Sequence, residues 1–142
     1  MDIASLCGGM EPEGESVQQI AVLVFDEKVW LDSDRLAELY VQLGEAGAQD
    51  VVCRAMEELA VRLARVDEAF RTYKLAVLRK STKGLIGIAE QVGMQRLADV
   101  ARDVCKCADG PDPVALGATM ARLQRIGDRS LTAVWDLQDM SV

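Results

Sequence analysis

Four cysteines and no histidine limit the chemistry open to this chain of 142 residues. Cys105 and Cys107 form a Cys-Lys-Cys pair, the arrangement that most invites a metal, while Cys7 and Cys53 are remote in sequence. A pair alone does not make a site, because structural zinc needs four ligands and residues two apart diverge around a helix. No metal and no cofactor are expected. The absence of histidine removes Ser-His and Cys-His nucleophilic catalysis and histidine acid–base work. Asp and Glu total 23, but they alternate with Lys and Arg as solvated helix faces, and no glycine-rich phosphate loop or paired-carboxylate cleft is signalled. The expectation is a protein that is not an enzyme.

A different kind of chemistry is suggested by cations at helical spacing. On a helix, positions 76, 79, 80, 83, 87 and 90 share a face, which brings together Ala76, Arg79, Lys80, Lys83, Gly87 and Glu90. Charge clusters of this sort are usually solvated faces, so by itself the spot signals no partner. It is nevertheless local and basic in a chain of net charge −7 and pI near 4.6. That overall balance argues against nucleic acid or an anionic membrane as the main partner, both of which need a basic footprint. No run of 18 apolar residues and no basic-then-apolar leader occurs, so a cytoplasmic protein with reduced thiols is expected.

The elements that must position these residues follow from periodicity. With 50% apolar residues the chain can bury a single core. Residues 1–16 read as a flexible polar tail, and 17–142 as one helical domain with its core in 32–138. The stretch "QQIAVLVFDEKVWLD" predicts a short β-hairpin around Asp26, although a run as short as Val22 to Phe25 leaves a buried helix open. From Asp32 the period becomes 3.6, with Asp32 or Ser33 as cap, Leu36, Leu39, Tyr40 and Leu43 on one face, and Gly44 as the stop. A second helix carries Val52, Met56, Leu59, Leu63, Val66 and Phe70; no Gly or Pro marks its end, which is expected near Asp67 to Thr72. A third buries Leu75, Leu78, Thr82, Leu85, Ala89 and Val92 up to a break at Gly93, and a fourth Leu97, Val100 or Ala101, and Val104. After "DGPDP", where Asp112 can cap and Pro113 can open a helix, a fifth carries Leu116, Met120, Leu123, Ile126, Val134 and Leu137. Short connections make the neighbours antiparallel, so the fold class is all-α, an up-down helical bundle.

One stretch conflicts with its own helix. "KGLIGIAEQVG", Lys83 to Gly93, contains three glycines, each costing about 1 kcal/mol relative to alanine inside a helix. The segment "KGLIGIAEQVGMQRLADVARDV" resembles the histidine-containing phosphotransfer (Hpt) domains of bacterial phosphorelays. Their signature is H-x-x-K-G-S followed by an apolar-Gly turn and a helix with L-A-x-x-A-like spacing. Leu85, Gly87, Ala89, Val92, Gly93, Leu97 and Ala101 occupy the matching places without a gap, and a looser match covers most of 32–137.

The resemblance implies a four-helix bundle of Hpt type preceded by an extra N-terminal segment. It also implies that Gly87, at the family's solvent-facing glycine beside the phosphorylated histidine, lets a receiver domain approach the helix closely. Two departures remove the chemistry. Lys83 stands where the phosphoacceptor histidine belongs, and Ile86 where the phosphate-supporting lysine belongs. A neutral imidazole offers a lone pair near neutral pH, and a lysine ammonium does not. The expectation is therefore a pseudo-phosphotransfer protein that docks on a receiver domain, or on a histidine kinase, through Ala76, Arg79, Lys80, Lys83, Gly84, Ile86, Gly87 and Glu90. Gly84 also fits a plain close contact between helices. The alternative expectation is an oligomerisation module, a homodimer formed through residues 20–31 without receiver binding.

Overall fold

The computed structural model describes residues 31–140, with side chains through Asp136. The tail at 1–16 and the hairpin expected before residue 32 lie outside the described residues, as does the side chain of Leu137. Four helices follow in order: α1 Ser33–Arg71, α2 Leu75–Gln91, α3 Gln95–Asp109 and α4 Pro113–Met140. Three-residue turns at 72–74, 92–94 and 110–112 make neighbours antiparallel. Contacts run α1 to α2, α2 to α3, α3 to α4 and α4 back to α1, closing an all-α four-helix bundle.

The helices begin and end for local reasons. Oδ1 of Asp32 accepts from the amides of Asp34 (3.0 Å) and Arg35 (3.2 Å), the cap that the sequence offers at α1. Asp112 does the same for Val114 and Ala115, with Pro113 at the first position of α4. The two stretches expected as separate helices are two helices joined directly at Gly44, within the span labelled α1. Gly44 itself is not helical (φ 74°, ψ 173°), so the break falls at the expected glycine without a connecting loop. The part of α1 before Gly44 returns to the end of α2. There the Asp32 amide donates to the Gly93 carbonyl (2.7 Å) and Arg35 Nε to the Gln91 carbonyl (3.3 Å).

The core is a stripe from each helix: Val52, Met56, Leu59, Leu63 and Val66 of α1; Leu78, Leu85 and Ala89 of α2; Leu97, Val100, Ala101 and Val104 of α3; Leu116, Met120, Leu123, Ile126 and Val134 of α4. Both alternatives offered for the α3 stripe, Val100 and Ala101, are buried. Each fully buried leucine or isoleucine stabilises the fold by roughly 1.5–3 kcal/mol. Thr82 is buried among them because its hydroxyl donates to the Leu78 carbonyl at 2.7 Å. Tyr40 (38% exposed) and Leu43 (48%) correct the expected inward face of the first stretch. Only Leu39 there is buried, with Leu36 packed against the core.

The α1–α2 and α2–α3 turns are built alike. In the first, the Lys74 amide donates to Ala69 (2.8 Å) and that of Tyr73 to Phe70 (3.1 Å); in the second, the Met94 amide donates to Ala89 (2.8 Å) and that of Gly93 to Glu90 (3.2 Å). This is the paired closure of a Schellman motif, which needs a left-handed residue. Gly93 supplies it in the second turn (φ 77°), and Tyr73 in the first (φ 57°). A side chain in that conformation costs roughly 1–2 kcal/mol. The turn sits at Thr72–Lys74, slightly beyond the span expected from the sequence, because α1 runs to Arg71.

Gly93 cannot be replaced cheaply, since a Cβ there would lie 2.9 Å from the backbone oxygen of Asp32 in addition to the left-handed φ. Gly93→Ala is expected to lower the unfolding free energy by about 2 kcal/mol or more. Urea denaturation reads it, and an unchanged midpoint would show that the junction between α1 and the second turn can yield.

Candidate functional site

The inner face of α2 is fixed by Leu78, Thr82, Leu85 and Ala89, all without exposed surface. The opposite stripe, Ala76, Lys80, Lys83 and Gly87, is exposed along its length. The remaining residues expected at the site fall on the two seams beside it. Toward α3, Arg79 pairs with Asp109 at 2.6 Å and Glu90 pairs with Arg102. Ile86, half-buried, packs against the core. Toward α1 lies Gly84, where an added Cβ would run into the guanidinium of Arg62, itself paired with Glu58 at 2.8 Å. The eight positions therefore make one surface with a free centre and two tied edges.

The two glycines have different physical reasons. Gly84 makes room for Arg62 and lets α1 and α2 approach, the close-contact role open to any helix glycine. At Gly87 a Cβ would meet nothing within 4 Å. Its roughly 1 kcal/mol cost relative to alanine is offset by no contact within the described part of the chain.

Electrostatics sharpen the free centre. Arg54, Arg62, Arg71, Arg79 and Arg102 each pair with a carboxylate, whereas Lys74, Lys80 and Lys83 form no ion pair among the described residues. In a chain of net charge −7, this leaves cations along one side of α2. Lys83 also lies close enough to Cys105 on α3 to influence its thiol. Burial raises the Cys105 pKa above its ordinary value, Lys83 pulls it down, Asp109 pushes it up, and Arg79 pulls it down. The net shift is upward, so this thiol is not activated. Among the described residues no group of three or more His, Cys, Asp or Glu could hold a metal ion. Among the same residues no helix is long and apolar enough to cross a membrane.

Sequence reasoning passed over Tyr73, the Arg62 contact and the Cys105 neighbourhood. A signal for the first was present, because a tight helix-to-helix turn without Gly, Asn or Pro must force some other residue into left-handed backbone. Arg62 and Cys105 depend on rotation about α1 and α3, which periodicity fixes only coarsely.

Comparison of the chain with protein-family models, with curated proteins and with solved structures gives no match.

Paired alanine substitutions test the two glycine roles. Gly87→Ala should stabilise the fold by about 1 kcal/mol. Gly84→Ala should gain less or lose, because Arg62 must swing away; equal gains would dissolve the distinction. Lys83→Glu should slow alkylation of Cys105 at mildly alkaline pH, measured with Cys7, Cys53 and Cys107 replaced by serine. It removes a cation that lowers the thiol pKa and adds an anion that raises it. An unchanged rate would place the Lys83 ammonium elsewhere.

Proposed function

We propose that this chain is a pseudo-phosphotransfer module, a helical bundle of Hpt type that docks on a receiver domain through the exposed stripe of α2 without accepting phosphate. Gly87 is the observation that carries the reading. It lies mid-helix, one turn from Lys83, with open space where a side chain would stand, which leaves a partner room to reach the helix backbone. A receiver packed against the α2 backbone would use that room.

The chemistry of the stripe fits binding without transfer. Phosphate acceptance needs a lone pair and a cation beside the incoming phosphoryl group. Lys83 offers an ammonium at the first place, and Ile86 an aliphatic side chain turned into the core at the second. The same ammonium suits the acidic pocket of a receiver, where it would sit against carboxylates and compete with a divalent metal. Regulation or scaffolding of a phosphorelay follows from occupying that pocket without turning over.

Titration calorimetry of the wild type, Gly87→Arg and Lys83→Glu against a panel of receiver domains tests the reading. Gly87→Arg should abolish binding while leaving thermal stability equal or higher, since arginine is the better helix former. Lys83→Glu should weaken the same complex by roughly 2 kcal/mol or more if the lysine is desolvated there, and should alter mainly on-rate and salt dependence if it lies at the rim. Incubation with a phosphorylated receiver should leave no acid-labile phosphate on the chain. Binding that neither substitution changes would move the interface off α2. Concentration-dependent self-association with no receiver bound would replace the reading by an oligomerisation role.

A further inference from the structure

Tyr73 is the residue in the described chain whose conformation and exposure conflict most. The two Schellman turns are equivalent in hydrogen bonding, yet one takes its left-handed residue as glycine and the other as tyrosine. Gly93 is enclosed by Asp32, whereas Tyr73 remains 66% exposed. Its ring therefore recovers little by packing for the strain that its backbone carries. Val77, one turn into α2, is also exposed (49%), and with Lys74 it lines a hollow against Arg65, Glu68, Ala69 and Thr72 at the end of α1. Lys80, Lys83 and Gly87 are exposed farther along α2.

From Tyr73 to Gly87 the surface spans roughly 20 Å at helical rise, well within the footprint of a partner burying about 800 Å² on each side. It combines an aromatic residue, an exposed aliphatic, cations without ion pairs among the described residues, and a bare stretch of helix. Of these, the tyrosine is the residue type enriched at the centres of protein interfaces, and the lysines suit a charged rim around it. The cations select an acidic partner, in a chain whose overall charge would otherwise repel one.

We infer that Tyr73 is the aromatic anchor of the docking surface, seated with Val77 in an apolar hollow of the partner's face while Lys74, Lys80 and Lys83 meet its carboxylates. The partner is the receiver domain of the function proposed above, and the inference rests on that reading. It adds a contact at the α1–α2 turn, about two to three helical turns from the phosphoacceptor-equivalent Lys83. Specificity among receivers then comes from whether a hollow lies at that distance from the acidic pocket, because all of them share the pocket and not all would share the hollow.

Three substitutions at Tyr73, measured in the full chain by calorimetry and thermal melting, test it. Tyr73→Gly relieves the left-handed strain and removes the ring; it should raise the melting temperature by about 3–5 °C and weaken receiver binding by about 30-fold or more. Tyr73→Asn, which also tolerates the turn, should weaken binding equally, and Tyr73→Phe should stay within about threefold of wild type. The anchor is overturned if Tyr73→Gly binds as tightly as wild type, or if it melts lower, which would make the ring part of the fold. If Gly87→Arg abolishes binding and Tyr73→Gly does not, the receiver reading stands and the anchor falls. If no receiver binds the wild type, both fall.

Discussion

Leu78, Leu85 and Ala89 have no exposed surface, and the helix that carries them is gripped from two sides by α1 and α3. Everything presented on the other side of α2 depends on that burial. Each leucine contributes roughly 1.5–3 kcal/mol of transfer free energy, enough to hold the helix in one rotation about its axis. Rotation decides which residues reach solvent. With Leu85 inward, Lys83 and Gly87 must face out, Gly84 must face α1, and Ile86 must lean toward the core. Ion pairs at the seam, Arg79 to Asp109 and Glu90 to Arg102, add little energy at such exposure but agree with the same rotation.

The glycines and the turns follow from this arrangement. Gly84 accommodates Arg62 and Gly93 accommodates Asp32, so both serve the fold. Gly87 accommodates nothing within it. Tyr73 repeats the pattern in reverse, a large side chain where the backbone favours none. Stability alone would select alanine at 87 and glycine at 73, and the chain carries neither. Two local disagreements of this kind, at Tyr73 and Gly87, are explained by no contact among the described residues and support the docking reading.

Much of the fold was legible because apolar periodicity reports burial directly. The stripes of α2, α3 and α4 through Val134 are the ones the spacing names, and the caps at Asp32 and Asp112 are where short acidic side chains precede helices. What escaped was set by tertiary geometry. Tyr40 and Leu43 keep the helical period yet are exposed, since periodicity alone does not report what packs opposite a stripe. The α1–α2 turn carried no glycine, so its place had to be found from packing. At the candidate site, sequence spacing brought the candidate residues to one side of α2 but could not separate the free centre from the tied seams. That division depends on Asp109, Arg102 and Arg62, which come from other helices.

The most direct measurement is the footprint of a bound receiver, read by amide chemical shifts of the labelled chain during titration. Docking along α2 predicts the largest changes at Tyr73, Val77, Lys80, Lys83 and Gly87, with Leu123 and Ile126 of α4 unmoved. A footprint centred on α4, or one confined to the residues before Ser33, would contradict it.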